Sequence, residues 1–389
     1  MIARLHPRMA DIDAAQWDAL LADQPQANPF LRHAYLQALE SSASACPETG
    51  WTPCHVTLHR EGEDAVIAAA PMYLKSHSWG EYVFDFAWAR AYAAHGRAYY
   101  PKALIAVPFT PVPGPRLLAR NAADRAQLIT ALPAIWRKLE VETAHVLFLD
   151  EQQTQALRDA GWLQRQGVQF HWHNRHPATL QPFTDFDDFL SSLQRDKRRK
   201  IRQEMRRVAE AGVTYRVLRG AAITAADWAF FRACYETTYL EHGNAPYLTA
   251  AFWEAMRTTM PDAWLLIVAM RAGQPIACSL LGMHERDDGI QTVYGRYWGA
   301  LQRVDLLHFD LCYYQTIAWC IAHRVQRFEG GAQGEHKLAR ALLPAPTHSA
   351  HWIADAHFAA ALKEHLAQES QAQADYTSLL AQHSPFRRG

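Results

Sequence analysis

A chain of 389 residues exceeds what a single hydrophobic core usually holds, so two domains are the expectation. Lys plus Arg and Asp plus Glu stand at 39 each, so net charge gives no sign of a nucleic-acid-coating protein. Six cysteines without a C-x-x-C spacing argue against a zinc ribbon or a disulfide framework and predict reduced thiols in a cytoplasmic protein. No stretch approaches about 18 apolar residues, so no membrane span is expected, and the segment from Met1 to Pro7 lacks the apolar core of a signal peptide.

In the first half, Asp11 or Asp13 caps a short helix through Leu21, and a second helix runs from Phe30 to Ser42 with Leu31, Tyr35 and Leu39 on one face. Trp51 to His59 and Ala65 to Lys75 read as the strands of a hairpin around a Glu-Gly-Glu-Asp turn. Residues 79–109 are rich in aromatics, which predicts a core with charged rims or one wall of a substrate groove. Asn121 caps a helix to Glu140. A strand from Ala144 to Leu149, a helix from Glu151 to Ala160 and a strand from Val168 to His173 follow. His171 and His173 share one face of that strand and read as polar surface residues, since no carboxylate or cysteine sits at ligand spacing. The proline-containing segment Asn174–Pro177 marks the boundary, giving domains 1–178 and 179–389.

The second half opens with Gln194 to Arg207, which carries eight basic and two acidic residues. Leu190, Leu193, Ile201, Met205 and Val208 fall on one stripe, and Arg195, Arg198, Arg199, Arg202 and Arg206 on another. Like charges at i, i+4 destabilise a helix, and a polyanionic partner would offset that cost. Arg199 and Arg202 are its candidate contacts; a solvated helix flank is the plainer alternative. A strand at Val213, helices 224–241 and 249–259, and a three-strand meander between Ala263 and Trp298 come next. A helix from Asp305 to His323 and a strand at 325–328 lead into Phe328–Arg340. That stretch packs three glycines, two glutamates, a histidine, a lysine and an arginine into 13 residues. It is the candidate site.

Strand, helix, helix, three-strand meander, helix, strand, strand is a mixed α/β order, neither a TIM barrel nor a doubly wound sheet. It matches the order of a GNAT acyltransferase domain. Lys197-Arg198-Arg199-Lys200-Ile201-Arg202, then Ala211-Gly212-Val213, resembles the element that opens the second domain of Fem-type peptidoglycan aminoacyltransferases. Tyr313-Tyr314 followed by Arg327-Phe328-Glu329-Gly330-Gly331 is similar to their helix–strand–F-x-G-G element, and Gly334-Glu335-His336-Lys337 sits where they have a glycine and a lysine. The whole chain, through His348-Ser349-Ala350-His351-Trp352, looks like a FemAB-like, GNAT-superfamily group of bacterial proteins concerned with peptidoglycan.

The resemblance implies two tandem GNAT-like domains and transfer of an acyl or aminoacyl group, for example by an N-acetyltransferase, to an amine. The acceptor would be a peptidoglycan precursor or another small molecule. The donor would be an acyl-CoA or an aminoacyl-tRNA, and no metal is expected. Acetyl-CoA-dependent GNAT domains carry a Q/R-x-x-G-x-G/A loop for the pyrophosphate. Here Gly299-Ala300-Leu301-Gln302-Arg303-Val304-Asp305 has one glycine, a pattern compatible with aminoacyl-tRNA.

Amine acylation needs a base and stabilisation of an oxyanion. Glu335 or His336 would take the proton, and Lys337 or the amides of Gly330, Gly331 and Gly334 would hold the oxyanion or a phosphate. Tyr294 and Arg296 would line the acceptor, and Asp305 and His308 would contact donor or acceptor. Glu329 and Arg340 complete the cluster, although Glu329 could simply pair with Arg327. Cys312 and Cys320, on an apolar helix, do not read as nucleophiles. A non-catalytic GNAT-like protein that recognises a cell-wall precursor or another anionic ligand is the alternative.

Overall fold

The computed structural model describes residues 1–331 and 334–387. The chain divides into two compact units, each made of separated segments. One comprises Met1–Gly167, Tyr247–Phe252 and Pro346–Asp375; the other comprises Val168–Pro246, Trp253–Ala345 and Tyr376–Gly389.

The first unit contains two sheets. The expected hairpin is broken in both arms: His55–His59 pairs with Val66–Ala70 in one sheet, and Trp51–Pro53 pairs with Met72–Lys75 in the other. Cys54 and Pro71 occupy the two corners. Proline has no N–H to donate to a ladder, so a strand break falls naturally there. In the second sheet Lys102–Ile105 runs parallel to Thr143–Leu149, and the latter pairs antiparallel with His348–Ile353. The helix Ala122–Lys138, capped by the Asn121 side chain, packs Leu128, Leu132 and Trp136 into this core.

Within that unit lies a chain of buried polar groups. Lys102 Nζ donates to Ser78 and Glu81, each at 2.8 Å, and pairs with Asp85. The Tyr99 hydroxyl donates to Asp85 at 2.6 Å and lies 3.0 Å from His145, which meets His351 at 2.7 Å. Of the aromatics between 79 and 109, Trp88, Tyr92, Tyr99 and Phe109 are core, whereas Trp79 and Phe84 are exposed.

The second unit is built on strands Val213–Arg219, Trp264–Arg271, Gln274–Arg286 and Gly289–Ala300, which pair antiparallel in that order. Arg327–Glu329 then joins parallel to Gly289–Ala300, and its other edge pairs with His171–His173 of the strand Leu163–His173. The helix Arg195–Glu210 presses Ile201 and Val208 into the core. Gly299 stands in a strand, and a Cβ there would run into the backbone carbonyl of Cys234. Its conformation therefore answers to helix–strand packing.

The helix expected over 305–323 begins at Leu307. It widens into a π-helical turn at Asp310–Gln315 and finishes as the α-helix Thr316–Ala322. Periodicity cannot reveal such a turn, because one extra residue shifts the face without breaking the apolar run.

Lys102 is the only cation within bonding distance of the buried Glu81 and Asp85 carboxylates among the described residues. Removing one partner of a buried pair typically costs roughly 3–5 kcal/mol. Urea unfolding of Lys102→Met is therefore expected to show a loss of that order, and Lys102→Met combined with Glu81→Gln a smaller one, since the second change relieves part of the uncompensated charge.

Candidate functional site

Gly289–Ala300 and Arg327–Glu329 pair only at Thr292, Val293 and Tyr294. Past that point Gly295–Trp298 and Gly330–Gly331 line a cavity of about 300 Å³. On the opposite edge Leu281 faces Gly295 and Leu280 faces Tyr297, so Arg296 is an extra, bulged residue. Bulges re-aim side chains, and Arg296 reaches the cavity. The π-turn supplies Cys312 and Tyr313, the segment before it His308, and strand Gln274–Arg286 Ser279. The 3₁₀ turn Glu335–Arg340 contributes His336 and Lys337. Ala332 and Gln333, within the stretch singled out from sequence, lie outside the described residues.

Lys337 is 4% exposed. Its ammonium donates to the Gly331 carbonyl at 3.1 Å and has no carboxylate partner among the described residues. Burial brings its pKa down to about 8. Nε2 of His336 lies 3.1 Å from the Tyr313 hydroxyl. Burial, then the Arg340 and Lys337 charges, lower the His336 pKa and favour the neutral ring. Burial likewise brings His308 down to about 4. The Cys312 thiol is pushed up to about 12 by burial, so it stays protonated at neutral pH.

Arg340 does not line the cavity; it braces the turn. Its Nη1 donates to the His336 carbonyl at 2.8 Å, its guanidinium lies 3.6 Å over the Phe309 ring, and Nη2 is 3.2 Å from Glu204. Gly334, at φ 115°, leaves the space that the His336 ring occupies.

Other expected residues are placed elsewhere. Glu335 is exposed and accepts from the Tyr376 hydroxyl at 2.5 Å. Asp305 is a solvent-facing neighbour of Arg303, because the segment after Ala300 turns outward before the helix begins. Glu329 follows Phe328, which lines the cavity, and strand alternation turns it to the other face of the sheet. There it is buried, 3.1 Å from Arg327, and burial raises its pKa to about 7. Tyr294, its register partner, is buried outside the cavity lining. His171, expected at the surface, is buried 3.9 Å from Glu329.

Arg199 and Arg202 line a separate depression of about 470 Å³ with Arg195, Arg198, Gln203 and Arg206. Sequence reasoning did not single out Ser279, Tyr297, Trp298, Cys312 or Tyr313 as site residues. The bulge and the π-turn that aim several of them leave no periodic signature.

The chain belongs to the FemAB-like family, described as peptidoglycan biosynthesis/recognition, which it matches over residues 8–388. Its fold is the mixed α/β, tandem GNAT-like one. FemX shares it at a TM-score of 0.54 and 12% identity, covering 91% of this chain and 97% of FemX. L-PGS from Bacillus licheniformis is similar at 0.54 and 9%, covering 94% of this chain and 98% of that one. No curated protein sequence matches the chain.

A lysine whose folded pKa is depressed destabilises the protein below that pKa, and the cost fades as pH rises toward the unfolded value of about 10.4. Lys337→Met is therefore expected to raise the Tm at pH 7. The gain should shrink between about pH 8 and the unfolded value, as thermal melts across that range would show.

Proposed function

We propose that this protein transfers an aminoacyl group from a tRNA ester to an amine of a peptidoglycan precursor, with the chemistry in the cavity of the second unit. One observation carries the reading: a neutral imidazole and a buried lysine from a single turn line a cavity where two parallel strands stop pairing. Family membership supports the peptidoglycan acceptor.

The acceptor amine attacks the ester carbonyl carbon. His336, held by Tyr313 and braced through its carbonyl by Arg340, takes the amine proton. Lys337 and Arg296 face the oxyanion that forms. The carbon–oxygen bond then breaks, and the tRNA oxygen leaves with the electron pair and receives the proton. Glu335, bonded to Tyr376, orders the outer side of the turn. Arg199 and Arg202 contact the anionic part of a substrate.

The choice of ester over acyl-CoA rests on the segment after Gly289–Ala300. A pyrophosphate cradle needs outward-facing amides. Here the amides of Leu301 and Gln302 both donate to the Ile276 carbonyl, at 2.8 and 3.2 Å. Gly299, the one glycine of the segment, is committed to packing against Cys234. With these two amides and the glycine committed elsewhere, the segment favours a donor without a pyrophosphate.

The test pairs a nucleotide-linked muropeptide with charged tRNA, acetyl-CoA or longer acyl-CoAs and follows amide formation by mass spectrometry. Product is expected with charged tRNA alone. Lys337→Ala should lower the rate roughly 100- to 1,000-fold, and His336→Ala by roughly 100-fold or more. Binding of the muropeptide without turnover under every donor would support a recognition protein instead.

A further inference from the structure

We propose that the arginine depression is a site for a linear run of phosphates, and that its occupancy is transmitted to His336 and Lys337 through the buried Glu204–Arg340 pair. The proposal rests on the assignment of Arg199 and Arg202 to anion binding.

The five arginines that line the depression run from Arg195 to Arg206. At 1.5 Å per residue they span roughly 16 Å of helix axis, longer than one phosphate requires. Arg202 pairs with Asp187 at 3.0 Å and Arg206 with Glu210 at 3.6 Å, both exposed contacts of little energetic weight. Arg195, Arg198 and Arg199 have no carboxylate partner among the described residues. The face is thus charged, open and largely uncompensated.

The opposite face of the same helix is apolar at Ile201 and Val208, with one exception: Glu204 points inward and is 5% exposed. A buried carboxylate is costly unless it is paired, and an apolar side chain at that position would pack at no such cost. Glu204 accepts from the Tyr314 hydroxyl and lies 3.2 and 3.4 Å from Arg340 Nη2, while Lys200 stands 4.0 Å away on its own helix. Tyr314 belongs to the π-turn that places Cys312 and Tyr313 on the cavity. Arg340 holds the His336 carbonyl. The two buried partners of Glu204, Tyr314 and Arg340, therefore position cavity residues, and a shift of the arginine helix pulls on both. Glu204 acts as a positioning residue, since it is not itself among the residues that line the cavity.

The test uses the full-length protein with inorganic tripolyphosphate and, in a second arm, a short single-stranded RNA. Calorimetry reads binding, and hydrogen exchange reads residues 335–340. Binding to wild type should slow exchange at 335–340 at least threefold, and the tighter of the two ligands names the source of the phosphates. Arg198→Ala with Arg199→Ala should weaken binding tenfold or more. Glu204→Gln should bind within threefold of wild type yet lose the exchange response. Tyr314→Phe, which removes only a hydroxyl, should reduce that response and serves if Glu204→Gln fails to fold. Absence of binding to wild type, or an exchange response that survives in the Glu204 and Tyr314 variants, overturns the proposal. Neither readout requires acyl transfer, so failure of the transferase reading is seen separately.

Discussion

Everything at the candidate site follows from where one pair of strands stops. Parallel pairing between Gly289–Ala300 and Arg327–Glu329 lasts three residues. Continued pairing would have consumed the backbone groups of Gly295–Trp298 and Gly330–Gly331 and left no cavity. The bulge at Arg296 changes the direction of one strand, and Gly331, at φ 84°, turns the other. Gly295 lets the strands approach closely just before they part, since a Cβ there would sit 3.3 Å from the Glu329 carbonyl. The cavity is thus a backbone feature that side chains then furnish.

The furnishing is electrostatically uneven. Lys337 is buried without a carboxylate partner among the described residues, burial lowers the pKa of His308, and partial desolvation with the neighbouring Arg340 and Lys337 cations lowers that of the more exposed His336. Acidic groups are kept to other faces: Glu329 behind the sheet, Glu335 outside the turn, Glu204 beneath the arginine helix. Such a site suits negative charge that appears during a reaction better than negative charge already present on a side chain.

Much of this was legible from the chain. The meander, the capped helix at Asn121 and the arginine face follow from turn residues, a capping side chain and a 3.6-residue period. His308, Arg296, Gly330, Gly331, His336 and Lys337 stand out from composition and resemblance, and all six line one cavity. What escaped depends on geometry with no periodic trace. The π-turn moved Cys312 and Tyr313 onto the site, strand alternation took Glu329 away from it, and Cys54 and Pro71 divided a hairpin between two sheets. Asp305 and Glu335 lie close in sequence to residues that line the cavity but face outward.

The segmented make-up of the first unit bears on how the chain is made. Thr143–Leu149 sits in the middle of a sheet, yet one of its neighbours, His348–Ile353, lies some two hundred positions later. A ribosome delivers the chain from its N-terminus, so most of the second unit must emerge before that edge can be closed. Until then Val146 and Leu149 flank an open strand edge, the kind of surface that recruits other chains. The late strand is therefore a stopper as well as a structural element, and the time spent waiting for it is set by translation.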